Sequence, residues 1–289
     1  MAQGNTAWRR FYRFSNSRVR LGVGLVLAAL FCIQCYQGEP PTAGVLVADA
    51  ANDVNMDAQA NQLAQLARTD HVALLKLALK RYDESVQSYT CTFIKQERIN
   101  GSLKPEQWVK TKFLEKPFSV AMHCVKNPQT GDRALFVAGK HNGQMLIHLY
   151  GLLAMFGTVT RDPESPQVMA NTLRPITRFG FRRSLQALLD VYEPAARRGD
   201  LKQSFGGYRN LAGRRVLVLE RLLPPKDDYP AYKTVVYLDT AWLMPLGVEA
   251  YDWENQLTCR YLYKDVDFNA SLSEKDFTPQ ANGMKLPQK

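Results

Sequence analysis

The side chains best able to do chemistry in this 289-residue chain are its cysteines and histidines. Cys32-Ile33-Gln34-Cys35 has the spacing of a dithiol redox or metal pair. It closes an apolar run with no β-α-β pattern around it, so it reads as the end of a hydrophobic segment. Cys91, Cys124 and Cys259 remain for the folded part, an odd number that allows at most one disulfide and one free thiol. Cys91 and Cys124 fall on the apolar side of alternating stretches, where cysteine usually serves as a small hydrophobe rather than a nucleophile. His71, His123, His141 and His148 include no pair four residues apart, as a helical zinc site requires. His148 alternates with Ile147 and reads as a hydrogen-bonded strand residue. There is no Gly-x-Ser-x-Gly and no phosphate-cradling glycine loop. Asp227-Asp228 sits among Pro224, Pro225 and Pro230, as a solvated loop would. The expectation is a non-enzymatic protein with no catalytic residues, metal or cofactor. A hydrolase using Cys91 or His148 is the residual alternative.

The apolar residues give more. With two-residue alternation through consecutive strands, Phe93, Phe118, Val120, Met122, Phe136 and Ile147 all face one side of a sheet. Two readings stand open. Leu75 and Leu79 of a preceding helix cover that face as an ordinary core, or they form the lid of a cavity lined by those six residues. Met122, Met145 and Met244 would suit a yielding lining.

The elements that must position this face follow from periodicity. Leu63, Leu66, Val72, Leu75, Leu79, Tyr82 and Val86 recur at steps of three and four, giving one long or two short helices over 60–87, with Asp70 a cap. From Tyr89 the period is two. Strands are expected around Tyr89–Phe93, Trp108–Leu114, Phe118–Val125, Ala134–Ala138 and Met145–Leu149, with turns at Asn100-Gly101 and His141-Asn142-Gly143. Residues 151–176 have no clear period and read as loop and short helix. Ser184–Tyr192 is helical, capped by Ser184 and ended by Pro194. Strands resume near 202–208, 214–222, 232–239, 246–252 and 257–263. The expected class is α+β: a signal peptide or anchor over 1–35, a flexible tether over 36–59, and one domain over 60–285 with a helical insertion near 151–200.

Composition is ordinary for a globular domain, 46% hydrophobic and 22% charged, with a formal charge of +10. Arg9, Arg10, Arg13, Arg18 and Arg20 supply part of that charge, and no later Lys/Arg block would trace a phosphate backbone, which argues against nucleic acid. The arginines precede the uncharged run Leu21–Ile33, a signal-peptide pattern too short for a comfortable membrane span. Ala48-Asp49-Ala50 is a candidate cleavage site, and an uncleaved inner-membrane anchor is the alternative. Either way the positive flank places the body of the protein in the periplasm or cell envelope. Phe31 before Cys32 and Gln34 before Cys35 do not suit a lipoprotein signal, nor do Tyr12 and Arg13 suit a twin-arginine signal.

The last quarter carries a resemblance. Thr234-Val-Val-Tyr-Leu-Asp239, Met244-Pro245-Leu246, Asp252, a strand through Tyr261 and Tyr263, Asp265-Val-Asp-Phe-Asn269 and Asp276-Phe277 resemble the C-terminal half of the periplasmic lipoprotein-carrier (LolA/LolB-like) superfamily. Cys91-Thr-Phe-Ile-Lys-Gln-Glu97, Lys116-Pro-Phe-Ser-Val120 and Pro175-Ile-Thr-Arg-Phe-Gly180 look like an uncharacterised bacterial family of presumed carrier-like fold. The resemblance spans about residues 70–280. It implies a strongly curved, half-open antiparallel β-barrel with helices plugging the mouth, and a hydrophobic cavity for a lipid or acylated ligand. The expected function is therefore binding of that hydrophobic ligand in the half-barrel; because the superfamily fold also serves a periplasmic stress regulator, the alternative is an envelope sensor with a filled core and a membrane or envelope protein partner.

Overall fold

Asp70 divides the N-terminal helical stretch in two. The computed structural model describes residues 50–286, in which α1 (Ala50–Thr69) and α2 (His71–Ser85) meet at Asp70. The Asp70 carboxylate accepts a hydrogen bond from the Ala73 amide at 2.9 Å, satisfying one of the free N–H groups at the start of α2. The first residues of α1 are helical within the stretch expected as tether, while the expected signal or anchor lies outside the described residues. Among the described residues no helix is long and apolar enough to cross a membrane.

Alternating sequence then gives strands β1 (Ser88–Ile99), β2 (Ser102–Leu103), β3 (Gln107–Leu114), β4 (Ser119–Lys126), β5 (Gly131–Val137), β6 (Met145–Leu149) and β7 (Thr158–Arg161). A crossover containing the short α3 (Pro166–Met169) leads to α4 (Phe181–Arg197). The second meander follows as β8 (Lys202–Leu211), β9 (Arg214–Leu222), β10 (Lys233–Asp239), β11 (Pro245–Tyr251) and β12 (Leu257–Asp267). All form one sheet in the order β7-β6-β5-β4-β3-β1-β12-β11-β10-β9-β8, with β2 paired to β1 outside this path. Every pairing is antiparallel, and β1 against β12 joins the two meanders at the centre. The sheet is open, with β7 and β8 at its edges.

Eleven strands laid flat would span roughly 50 Å at their usual spacing, several helix diameters. Yet one apolar cluster holds Met145 of β6, Val216 of β9 and Leu75 and Leu185 of the helices together. The sheet therefore curls around its helices, as the expected α+β half-barrel does. A smaller cluster on the convex face packs Ala121, Leu135 and Leu146 under Phe277 and Met284 of the C-terminal segment.

Three local expectations change. Strand β7 forms inside the stretch read as loop and short helix, because pairing with β6 from His148↔Thr158 to Met145↔Arg161 supplies order that its sequence period does not. Gly180, not Ser184, caps α4; Ser184 is buried one turn inside. Pro194 does not end α4, which continues to Arg197. Proline removes one helical N–H, but Ala195 is held against Leu223 and Tyr229, and that packing keeps the final turn.

Candidate functional site

The concave face begins at β1. Phe93 lies opposite Val109 on one neighbour and Tyr263 on the other, and its ring meets Phe179, Tyr263 and Tyr261 at centroid distances of 5.2, 5.0 and 5.6 Å. Toward the β7 edge, Val120 pairs with Phe136 and Ala134 with Ile147, so Phe118, Val120, Met122, Phe136 and Ile147 share the face with Phe93. Phe93, Val120 and Phe136 are buried, whereas Phe118, Met122 and Ile147 are only half-buried although they pack on the same cluster.

What covers the face differs from side to side. Over the β9–β12 half lies α4, its apolar residues Phe181, Leu185, Leu188 and Leu189 turned inward, and the fit leaves a cavity of about 60 Å³. That is room for about two waters. Val168, Leu173, Ile176 and Phe179 of the irregular crossover 162–180 join the same cluster, with the Phe179 ring against Phe93 of β1, Phe113 of β3 and Tyr263 of β12.

A polar latch ties the crossover to the sheet. Glu97, buried on β1, accepts hydrogen bonds from Tyr261 Oη at 2.6 Å and Thr172 Oγ1 at 3.1 Å, and pairs with Lys95 Nζ at 3.1 Å. Lys95 Nζ also donates to Thr172 Oγ1 at 3.1 Å. Burial, and next the Glu97 charge, drive the Tyr261 hydroxyl far above its ordinary pKa, so it stays protonated and serves as a donor.

Beside the latch lies an open cavity of about 420 Å³, lined by Ile99, Lys104, Pro105, Tyr150, Leu153 and Asn171. It sits at the end of the strands, the rim where β1, β4, β6 and β11 finish, and Gln129 and Thr130 also line it. The β6–β7 loop Tyr150–Gly157 carries no charge, and it holds Leu152, Met155 and Phe156 in solvent at 95%, 83% and 64% exposure. Gly151 and Gly157, both left-handed at φ 65° and 64°, bracket it, a conformation glycine adopts without steric cost. Tyr150 N bonded to Thr130 O at 3.0 Å and Leu149 N bonded to Gly157 O at 3.0 Å hold its base. The same rim exposes Leu103 of β2, Val125 of β4 and Trp253 of the β11–β12 turn.

The model of a family described as a protein of unknown function, DUF1571, matches residues 86–285, which contain the concave face, the latch and the rim. The chain belongs to this family. No curated protein matches it in sequence. Among solved structures, MucB matches the DUF1571 chain at 14% identity and a TM-score of 0.40, over 78% of this chain and 62% of MucB, so the chain spans about three-fifths of that protein's length. The lipoprotein LppX of Mycobacterium tuberculosis matches at 11% identity and a TM-score of 0.41, over 70% of this chain and 96% of LppX. A LolA superfamily protein from Nitrosomonas europaea matches at 10% identity and a TM-score of 0.28, over 71% of this chain and 98% of that one.

In this DUF1571 chain the six residues expected to line a cavity thus come together on one face. Leu75 is fully buried and Leu79 half-buried, both on α2 within the same cluster. The open space is elsewhere, at the rim, among residues that sequence reasoning did not single out. The signal for it was the uncharged run Leu149–Thr160. Cys91, Cys124 and Cys259 are all free thiols. Burial pushes all three thiols up, Cys259 to about 12, which disfavours the reactive thiolate. His148 bonds Asp132 Oδ1 at 2.8 Å, the paired strand residue expected. Among the described residues no three His, Cys, Asp or Glu side chains converge as metal ligands.

Proposed function

We propose that the protein is a non-enzymatic component of the cell envelope that takes a lipid or acylated ligand onto the concave face of its sheet, admitting it at the rim. The observation carrying this is the rim itself: an uncharged loop with three large apolar side chains in solvent, beside a cavity of about 420 Å³. A cavity of that size is in the range of small-ligand pockets, and exposed apolar surface of this kind marks a membrane, protein or ligand contact. An acyl chain entering there would meet the latch, displace the crossover and lie along Phe118, Met122 and Ile147, whose half-burial leaves surface to cover. Each methylene buried contributes about 0.8 kcal/mol. Lys104 stands at the mouth to meet an anionic head. The arginine-flanked apolar segment at the N-terminus supports export to the periplasm or retention at the inner membrane.

Uptake of a fluorescent fatty acid by the purified full chain tests this. Saturable binding with a blue-shifted emission is expected; no uptake at any concentration overturns it. A second reading draws on the 60 Å³ left under α4: with its interior filled, the fold would be an envelope sensor whose rim meets a protein partner.

A further inference from the structure

The convex face of the same sheet carries a line of basic side chains that the concave face does not explain. Strand register places Thr92 of β1 opposite Lys264 and Lys110, Lys110 opposite His123, His123 opposite Arg133, and Arg133 opposite His148. Thr92 and His123 alternate with Lys110 and Arg133, so no two cations oppose each other directly, and burial followed by the Arg133 charge lowers the His123 pKa, which favours its neutral ring. The acids nearby are few. Asp132 pairs with His148 and lies 3.7 Å from Arg133 Nε, and Asp265 accepts a hydrogen bond from Thr92 Oγ1 at 3.2 Å.

The row lines a cleft rather than an open surface. The C-terminal segment runs along one side of it, fixed by Lys112 Nζ donating to Asp276 O at 3.3 Å and Arg133 Nη1 donating to Asn282 O at 2.9 Å. Gly283 permits the close approach: it has a left-handed φ of 64°, and a Cβ there would lie 2.3 Å from Arg133 Nη1. Between segment and sheet is a cavity of about 460 Å³, lined by Thr92, Lys110, Lys112, His123, Arg133 and Asp265 among others. Arg133 Nε is buried there with no hydrogen-bond partner. Lys110 Nζ makes one hydrogen bond, to Thr92 Oγ1 at 2.9 Å, leaving two of its three protons to serve a ligand.

We infer that this convex-face cleft binds a phosphate group, held by Lys110, Lys112 and Arg133 with Thr92 and His123 at its margin. Two lysines and a guanidinium around a cavity match a tetrahedral, multiply charged oxyanion, and charge-assisted hydrogen bonds of this kind are the strong ones. The anion would give Arg133 Nε an acceptor. The phosphate could be free or part of an anionic lipid headgroup, and these sources separate experimentally. The site does not depend on the concave face holding an acyl chain.

The test uses the full chain, the Lys110→Gln/Lys112→Gln double variant, and Lys76→Gln as a remote control on α2. Lys110 is exposed, whereas Lys112 is half-buried and gives up its bond to Asp276 O in the variant, so a melting curve of each protein confirms the fold before binding is read. Titration with inorganic phosphate and flotation with phosphatidylglycerol or phosphatidylcholine vesicles are run on all three. Saturable phosphate binding, weakened at least tenfold in the double variant and unchanged in Lys76→Gln, supports a free-phosphate site. No response to phosphate, with phosphatidylglycerol flotation exceeding phosphatidylcholine flotation and the excess lost in the double variant, supports a headgroup site. Neither response, or responses that the double variant leaves unchanged, overturns the assignment.

Discussion

Glu97 concentrates the residue-scale argument. Its carboxylate is buried, holds Lys95 beside it, and receives hydroxyls from the crossover and from β12. Removing one member of a buried ion pair leaves the other charge uncompensated, which costs about 3–5 kcal/mol. Lys95 keeps some solvent contact, so Glu97→Ala is expected to lose about 3 kcal/mol in urea unfolding, the lower end of that range. A change within about 0.5 kcal/mol, the range of ordinary surface substitutions, would show that the latch does not hold the crossover. The sequence made Glu97 visible only as the last residue of Cys91–Glu97. Its partners lie 75 and 164 residues away, and no local pattern announces a pairing set by the β1–β12 register.

At the scale of elements, legibility followed periodicity. The strands at Trp108–Leu114 and Met145–Leu149 stand where alternation put them, and the helix break falls at Asp70. The misses share a cause: tertiary contacts decided them. Strand β7 exists by pairing with β6, and α4 continues past Pro194 because Ala195 packs on Leu223 and Tyr229. The rim loop was missed as a site because apolar residues without period look like core, and only the hairpin around them turns them outward. Since Leu152, Met155 and Phe156 support so little of the fold, the triple change to Ser is expected to move stability by less than about 0.5 kcal/mol per site. It should at the same time slow transfer of a fluorescent fatty acid from vesicles to the protein by at least fivefold, read by stopped-flow. Unchanged transfer with the fold intact would separate the rim from ligand admission.

For the whole molecule, the antiparallel meanders and the shared face of Phe93, Phe118, Val120, Met122, Phe136 and Ile147 were legible as pattern, whereas the open, curved sheet with helices on one side came only from the resemblance. Whether that face is filled was not, since alternation fixes which way side chains point and not how much space the cover leaves. The fold answers unevenly. It is tight under α4, closed by the crossover through Ile176 and Phe179, and open at the rim. The central claim is that this unevenness serves an apolar ligand. Native mass spectrometry of the full chain purified from a membrane-containing host, with lipid extraction of the same sample, tests it most directly. A bound species of lipid mass in near one-to-one amount is the expected result. A clean ligand-free mass, with no lipid in the extract, would contradict it.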